Sequence, residues 1–254
     1  MALRAAAGRV VNPRGDTAER IEDAAVDLFF REGYPKTSVR EITAALGLTP
    51  GAFYNHFESK EALLSAVITR THAVIEESIE RALLAAGEDA VGQLWEVARA
   101  LTGIYTARRK EAVISQRERH RLPGSEPAQM LERERQIRRA VERILVRGLE
   151  SGRFRLALPN GDPADVGVAA KMILDLIISA GSWFRPDGRL GVDELSYQYA
   201  TLIMQMVGID PATLTGDRFT RRERPRVRGG GAAGGARPRG GGGWAGPPAP
   251  ANRK

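Results

Sequence analysis

The stretch Thr49 to His56, Thr-Pro-Gly-Ala-Phe-Tyr-Asn-His, combines small side chains with hydrogen-bonding ones in a way that suits the edge of a base pair. Thr49, Pro50, Gly51 and Ala52 carry little bulk, so the backbone there can come close to a flat surface. Asn55 offers the paired donor and acceptor that match adenine in a major groove. Ser38, Tyr54, His56 and Lys60 add hydroxyls, an imidazole and an ammonium, the groups that hold phosphate.

Those residues must be presented by something rigid, and the flanking sequence writes two short helices. Ser38 can cap the first, and Glu41 three residues on completes a capping box. Ile42, Ala45 and Leu46 then fall on one apolar face, and Gly47 allows the left-handed turn that ends the helix. Leu48 returns to the core. Thr49 followed by Pro50 is an N-cap with proline at the first helical position. Phe53 and Phe57 lie one turn apart and point inward. At 100° per residue this turns Gly51 and Asn55 outward, with Ala52 and Tyr54 on the flanks. Helix, short turn with glycine, helix is the helix-turn-helix, whose second helix enters the major groove of DNA. The same shape also serves as plain packing, so spacing alone leaves both roles open.

The order of residues from Arg20 to Val67 resembles the DNA-binding domain of the TetR family of bacterial regulators. An amphipathic helix ends in Phe-Phe-Arg-Glu-Gly-Tyr, Thr-Ser-Val-Arg-Glu-Ile follows, and Leu-Gly-Leu-Thr-Pro-Gly-Ala-Phe-Tyr-Asn-His-Phe-Glu-Ser-Lys-Glu-Ala-Leu continues without a gap. The resemblance implies that Thr49 to His56 is the recognition helix and that Lys60 touches phosphate. Asn55 stands where relatives commonly carry an aromatic residue or histidine. A looser likeness runs through Glu150-Ser-Gly-Arg-Phe and Trp183-Phe-Arg-Pro-Asp-Gly-Arg-Leu, similar to the branch of the family that senses acyl-CoA thioesters. It implies that Trp183 and Arg185 line a ligand site.

Periodicity and caps predict an all-α chain of about nine helices. Asp16 and Glu19 make a capping box for the first, with Ile21, Ala25, Leu28 and Phe29 inward and Gly33 closing it. A long helix runs from Ser59 to about Ala86 on Leu64, Val67, Ile68, Ile75 and Ile79. Others span about 88–107, a shorter segment after it, 125–150, Asp162-Pro163 to about Phe184, and Asp193 to near Gly208. The domain reading is a flexible arm (1–15), a three-helix DNA-binding domain (16–62), a helical ligand-binding and dimerisation domain (63–215) and a disordered Arg/Gly/Pro-rich tail (216–254), too poor in apolar residues to offset the entropy of ordering.

Two apolar stripes predict a homodimer interface on the last two helices: Val166, Ala170, Ile173, Ile177 and Trp183, with small Ala169, Ala180 and Gly181, against Leu195, Tyr199, Leu202, Ile203 and Met206. Both could instead be monomer core, but reading two half-sites needs two recognition helices held about 34 Å apart. Trp95, Tyr105 and Met130 supply aromatic and flexible apolar groups for a pocket between head and dimer helices. Arginines crowd the same region from Arg108 to Arg139 and alternate with Glu118, Glu132 and Glu134, so most read as a salt-bridged face. Arg117 and Arg138, with Arg185, are the candidates for the charged end of a ligand.

Charge and composition narrow the function. The chain's net charge is +7, yet residues 217–254 hold ten Arg or Lys against two acidic residues, so residues 1–216 sum to about −1. The motif, not the overall charge, carries the DNA reading. The chain has no cysteine, which excludes disulfides and thiolate metal sites. His56, His72 and His120 are not at metal-ligand spacing, and no nucleophile elbow, phosphate loop or dinucleotide fingerprint occurs. The best apolar stretch, Val166 to Ala180, is interrupted by Lys171 and Asp175 and is expected not to span a membrane. No hydrophobic signal core precedes Arg20, so a cytoplasmic location is expected. The sequence reading is therefore a non-enzymatic, cofactor-free transcriptional repressor that binds palindromic double-stranded operator DNA as a homodimer and is released by a small molecule of the acyl-CoA class. The competing reading is a helical interaction protein whose basic tail binds nucleic acid without sequence preference.

Overall fold

Ile21, Ala25, Val26 and Phe29 form the buried stripe of α1 (Thr17–Glu32). The helix stops at Gly33, whose φ of 87° suits a residue without Cβ. A single 3-10 turn (Tyr34–Lys36) leads into α2 (Val39–Ala44) and α3 (Pro50–Tyr54). The computed structural model describes residues 17–220. Asp16 of the expected capping box, the N-terminal arm and the tail from residue 221 lie outside the described residues.

The long helix α4 (Lys60–Ala86) begins where the Ser59 hydroxyl accepts from the Ala62 amide. Its 27 residues at about 1.5 Å each span about 40 Å. Then come α5 (Ala90–Ala107), capped by Asp89, α6 (Arg109–Glu118), α7 (Glu126–Glu150), α8 (Val166–Trp183) and α9 (Val192–Met206). Among the described residues there are nine α-helices and no strand; Ala157 and Pro163 form an isolated bridge.

Two apolar clusters organise these helices. One gathers Ile21, Phe29, Ile42, Phe53 and the first half of α4 (Leu63, Leu64, Val67, Ile68) with Ile114, Leu122 and Met130. The other gathers the second half of α4 (Ile75, Ile79) with α5, α7, α8 and α9 around Trp95, Leu101, Ile144, Ile173 and Ile203. The four residues of the first half of α4 are fully buried, and each such burial contributes about 1.5–3 kcal/mol. That locks the start of the long helix to the head, while its far end belongs to the second core.

Several details differ from the sequence reading. Ala45 is exposed and Thr43 is buried instead, because α2 ends at Ala44 and Ala45 caps it. Helix α8 starts at Val166 under an Asp165 cap; Pro163 sits in the bridge, and the Asp162 carbonyl accepts from Leu158. The anticipated dimer stripe of α8 is largely monomer core: Ala170, Ile173, Ile177, Ala180 and Gly181 are buried within the chain, as are Leu195 and Ile203 of α9. The next face of α8 is the exposed apolar one, with Val168, Met172, Leu176 and Trp183; Leu202 and Met206 are likewise exposed on α9. By length and composition α8 does meet the test for crossing a membrane, despite Lys171 and Asp175. Its apolar surplus comes from bearing both a core face and an exposed face, and its two charges pair with each other at 2.9 Å. Residues 216–220, expected within the unstructured tail, form a 3-10 turn (Asp217–Phe219) whose Phe219 ring packs edge-on to Trp95 at 5.2 Å.

Candidate functional site

The local chemistry around α3 is closely specified. The Ser38 hydroxyl accepts from the Glu41 amide at 3.2 Å, and the Ser38 amide donates to the Glu41 carboxylate at 2.7 Å. That backbone donor, then the Ser38 hydroxyl, holds the Glu41 carboxyl below its ordinary value. The Leu48 amide donates to the Thr43 carbonyl at 2.9 Å across Gly47, whose φ is 67°. The Thr49 hydroxyl caps α3 through the Ala52 amide. Phe53 is fully buried with its ring 5.6 Å from that of Phe57.

The rest of α3 and its flanks is exposed, apart from Ala52. Tyr54 is 57% exposed; Thr49, Pro50, Gly51, Asn55 and His56 are exposed, and Ala52 is half-buried. A Cβ built on Gly51 would meet nothing nearer than the Thr49 hydroxyl at 3.8 Å. Packing within the chain therefore does not demand glycine there. The small residue leaves room on the outward side, as close approach to base edges requires.

Lys60 has protein partners. Its ammonium donates to the carbonyls of Tyr34 at 3.0 Å and Thr37 at 2.8 Å and lies 4.3 Å from the Tyr34 ring centroid. The Tyr34 hydroxyl in turn donates to Glu61 at 3.0 Å. Burial first and that bond second push the Tyr34 phenol well above its ordinary value. Lys60 thus braces the turn before α2 against the start of α4.

A second site lies where α6 meets the end of α8. A groove of about 400 Å³ is lined by Arg109, Ser182, Trp183, Arg185, Pro186 and Asp187. Trp183 is 52% exposed and stacks on Tyr199 with centroids 6.4 Å apart. Arg109 donates through Nε to the Gly181 carbonyl at 3.1 Å, and its guanidinium lies 5.0 Å from the Phe30 ring centroid on α1. An exposed indole beside two guanidinium groups can take a planar ring and an anion together.

Residues 21–67 match the model described as "Bacterial regulatory proteins, tetR family", and residues 87–207 match "Tetracyclin repressor-like, C-terminal domain". The chain belongs to the TetR family. It is similar to the HTH-type transcriptional repressor KstR2 of Rhodococcus jostii (strain RHA1), with 26% identity over 195 residues, 75% of this chain and 91% of that protein. Among solved structures it resembles a bacterial regulatory protein in the tetR family from Rhodococcus RHA1 (28% identity, TM-score 0.68, 77% of this chain and 99% of that one). It also resembles AibR in complex with isovaleryl coenzyme A and operator DNA (25% identity, TM-score 0.62, 74% and 98%).

The second TetR match covers the helices that carry the anticipated ligand residues, which the structure spreads over both cores, helices α6 and α7, and the groove. Trp95 is buried in the second core, its indole N–H donating to the Arg218 carbonyl at 2.9 Å and its ring flanked by Tyr197 and Phe219. Tyr105 packs against the same core, where burial raises its phenol well above the ordinary value. Met130 is in the head cluster, so the two cores separate it from Trp95. Arg138 pairs with Glu142 at 3.2 Å, and Arg117 is exposed on α6. Trp183 and Arg185 do come together, in the groove. Most of the arginine run is salt-bridged: Arg119 to Glu134, Arg121 to Glu118, Arg133 to Glu76, Arg135 and Arg139 to Glu132. Tyr199, on the stripe set against that of Trp183, does meet it; sequence reasoning missed Arg109 as its neighbour, since only the packing of α6 on the end of α8 brings the two together. Among the described residues no His/Asp/Glu group could hold a metal ion.

Proposed function

We propose that this TetR-family regulator is a repressor that binds a palindromic operator as a homodimer and releases it when a coenzyme A thioester occupies the groove at Trp183 and Arg185. The observation that carries the DNA reading is the outward face of α3, where Gly51, Tyr54, Asn55 and His56 are exposed on a helix anchored by buried Phe53. The effector reading is supported by the groove's aromatic and cationic lining and by AibR, a relative whose structure contains both isovaleryl coenzyme A and operator DNA. The dimer reading is supported by the exposed apolar face of α8 and α9. Such a protein acts in the cytoplasm, where its DNA is.

Induction requires the thioester to favour the geometry that does not fit DNA, since equal affinity for both geometries shifts nothing. A coupling of about 100-fold corresponds to roughly 2.7 kcal/mol, and operator DNA must weaken the thioester by the same factor. The test is binding to DNA upstream of the protein's own gene, with Asn55→Ala and Tyr54→Ala variants and a panel of acyl-CoA thioesters. Asn55→Ala should relax preference at one base position per half-site by about 1–3 kcal/mol. Tyr54→Ala should weaken all sequences alike and flatten the salt dependence. An unchanged base preference in Asn55→Ala would remove α3 from the groove. Equal thioester affinity with and without operator would remove the induction mechanism.

A further inference from the structure

We propose that Arg109 is the residue through which occupation of the groove reaches the DNA-binding head. This inference rests on the effector reading above and adds a named coupling residue to it. Arg109 touches three things at once. It lines the groove with Trp183 and Arg185, it holds the Gly181 carbonyl of α8 at 3.1 Å, and its guanidinium lies 5.0 Å from the Phe30 ring centroid on α1. One side chain thus joins the groove, the helix of the exposed apolar face and the first helix of the head.

The two ends of this bridge differ in stiffness. On the α8 side the fit is close: a Cβ on Gly181 would fall 2.6 Å from the Tyr105 carbonyl oxygen, and Ala180 and Phe184 are buried. On the α1 side, Phe30 is only half-buried. The neighbouring tie, Lys110 to Asp27 at 2.6 Å, is about half exposed, so solvent weakens it. A phosphate or carboxylate entering the groove offers the guanidinium bidentate, charge-assisted hydrogen bonds, stronger than a partly exposed cation–π contact. Arg109 then turns from Phe30 toward the anion. Because α8 is closely packed at Gly181 and Phe30 is only half-buried, the change falls on α1 and the head. Within the same lining Asp187 opposes entry of an anion and Arg185 favours it.

The test uses the full chain, isovaleryl coenzyme A as probe, and the variants Arg109→Gln and Arg185→Gln. Operator affinity is measured without the thioester and at saturation, and the ratio of the two is the coupling. Arg109→Gln should reduce the coupling at least tenfold from the wild-type ratio, even at thioester concentrations that fill the site. Arg185→Gln should weaken the thioester several-fold while keeping the ratio at saturation. Full coupling in Arg109→Gln overturns the proposal. If the wild type ignores the thioester, the effector reading fails, and hydrogen exchange then decides on Arg109. Amides of residues 24–32 should exchange several-fold faster in Arg109→Gln than in the wild type, and unchanged rates there overturn the proposal as well.

Discussion

Lys60 shows what a single charge cannot announce about itself. Beside α3, a lysine at the start of α4 reads as a phosphate contact, and its ammonium also donates to the Tyr34 and Thr37 carbonyls. That convergence depends on a 3-10 turn 26 residues earlier, and nothing local to Lys60 encodes it. Hydrogen bonds to charged groups contribute about 1.5–3 kcal/mol each. Lys60→Met, which keeps the apolar stem, should therefore lower stability by about 2 kcal/mol or more in urea denaturation, along with any loss of DNA affinity. A variant that loses DNA affinity at unchanged stability would show that Lys60 serves phosphate contact and not the brace. His72 is a second buried group, with Nε2 3.4 Å from the Ser115 hydroxyl and Nδ1 without a hydrogen-bond partner. Burial first lowers its pKa below 6.5, and the nearby Glu134 and Glu76 only partly counter it. The folded state then resists a proton that the unfolded chain accepts, so His72 supports folding fully above pH 6.5 and progressively less below it. The wild type should lose more stability than His72→Leu between pH 7.5 and 5.5, and parallel losses would show that the imidazole does not titrate there as argued.

At the scale of elements, the helix-turn-helix was legible because its signals are short-range: Ser38 with Glu41, Gly47, Thr49 with Pro50, Phe53 with Phe57. Each is a cap or a one-turn pair and needs no knowledge of distant chain. Helix α8 was harder. It is apolar on two adjacent faces, and periodicity states that a stripe exists without saying which stripe meets the monomer core. The structure turns Ile173 and Ile177 inward and leaves Met172 and Leu176 out. The ligand residues failed to assemble for a related reason, since Trp95 and Met130 both read as pocket lining but belong to different cores. Close packing also reverses a local preference on α7. Gly148 sits inside the helix, where alanine would gain about 1 kcal/mol of intrinsic propensity. Its Cβ, however, would overlap the ring of buried Phe154, with the three nearest atoms at 1.9, 2.3 and 2.5 Å. A rigid ring has no flexible end to swing away, and overpacking costs about 1–3 kcal/mol. Gly148→Ala should be net destabilising in chemical denaturation, and a stabilised variant would mean that Phe154 moves more freely than its burial implies.

At the scale of the molecule, the proposed dimer would join the exposed apolar face and α3 in one geometric requirement. A lone α3 reads a single half-site, and two must be held about 34 Å apart to read a palindrome. Val168, Met172, Leu176 and Trp183 on α8 line up at spacings that keep them on one side, and Leu202 and Met206 are exposed on α9. Trp183 joins the two helices by its stack on Tyr199 and also borders the groove, so the proposed dimer surface and effector site share a residue. Charges introduced at the centre of the patch should act on association and not on folding, because those side chains are already in solvent within the monomer. Leu176→Glu combined with Leu202→Glu should leave the helical circular dichroism unchanged and shift sedimentation to a monomer. Operator affinity should fall roughly 100-fold or more as the two half-site contacts lose their linkage. A single half-site probe should be bound about as well as by the wild-type monomer, since α3 and its anchor at Phe53 are untouched. If the doubly charged variant still sediments as a dimer, the partner surface lies elsewhere on the chain, and the exposed face of α8 must be explained by another occupant.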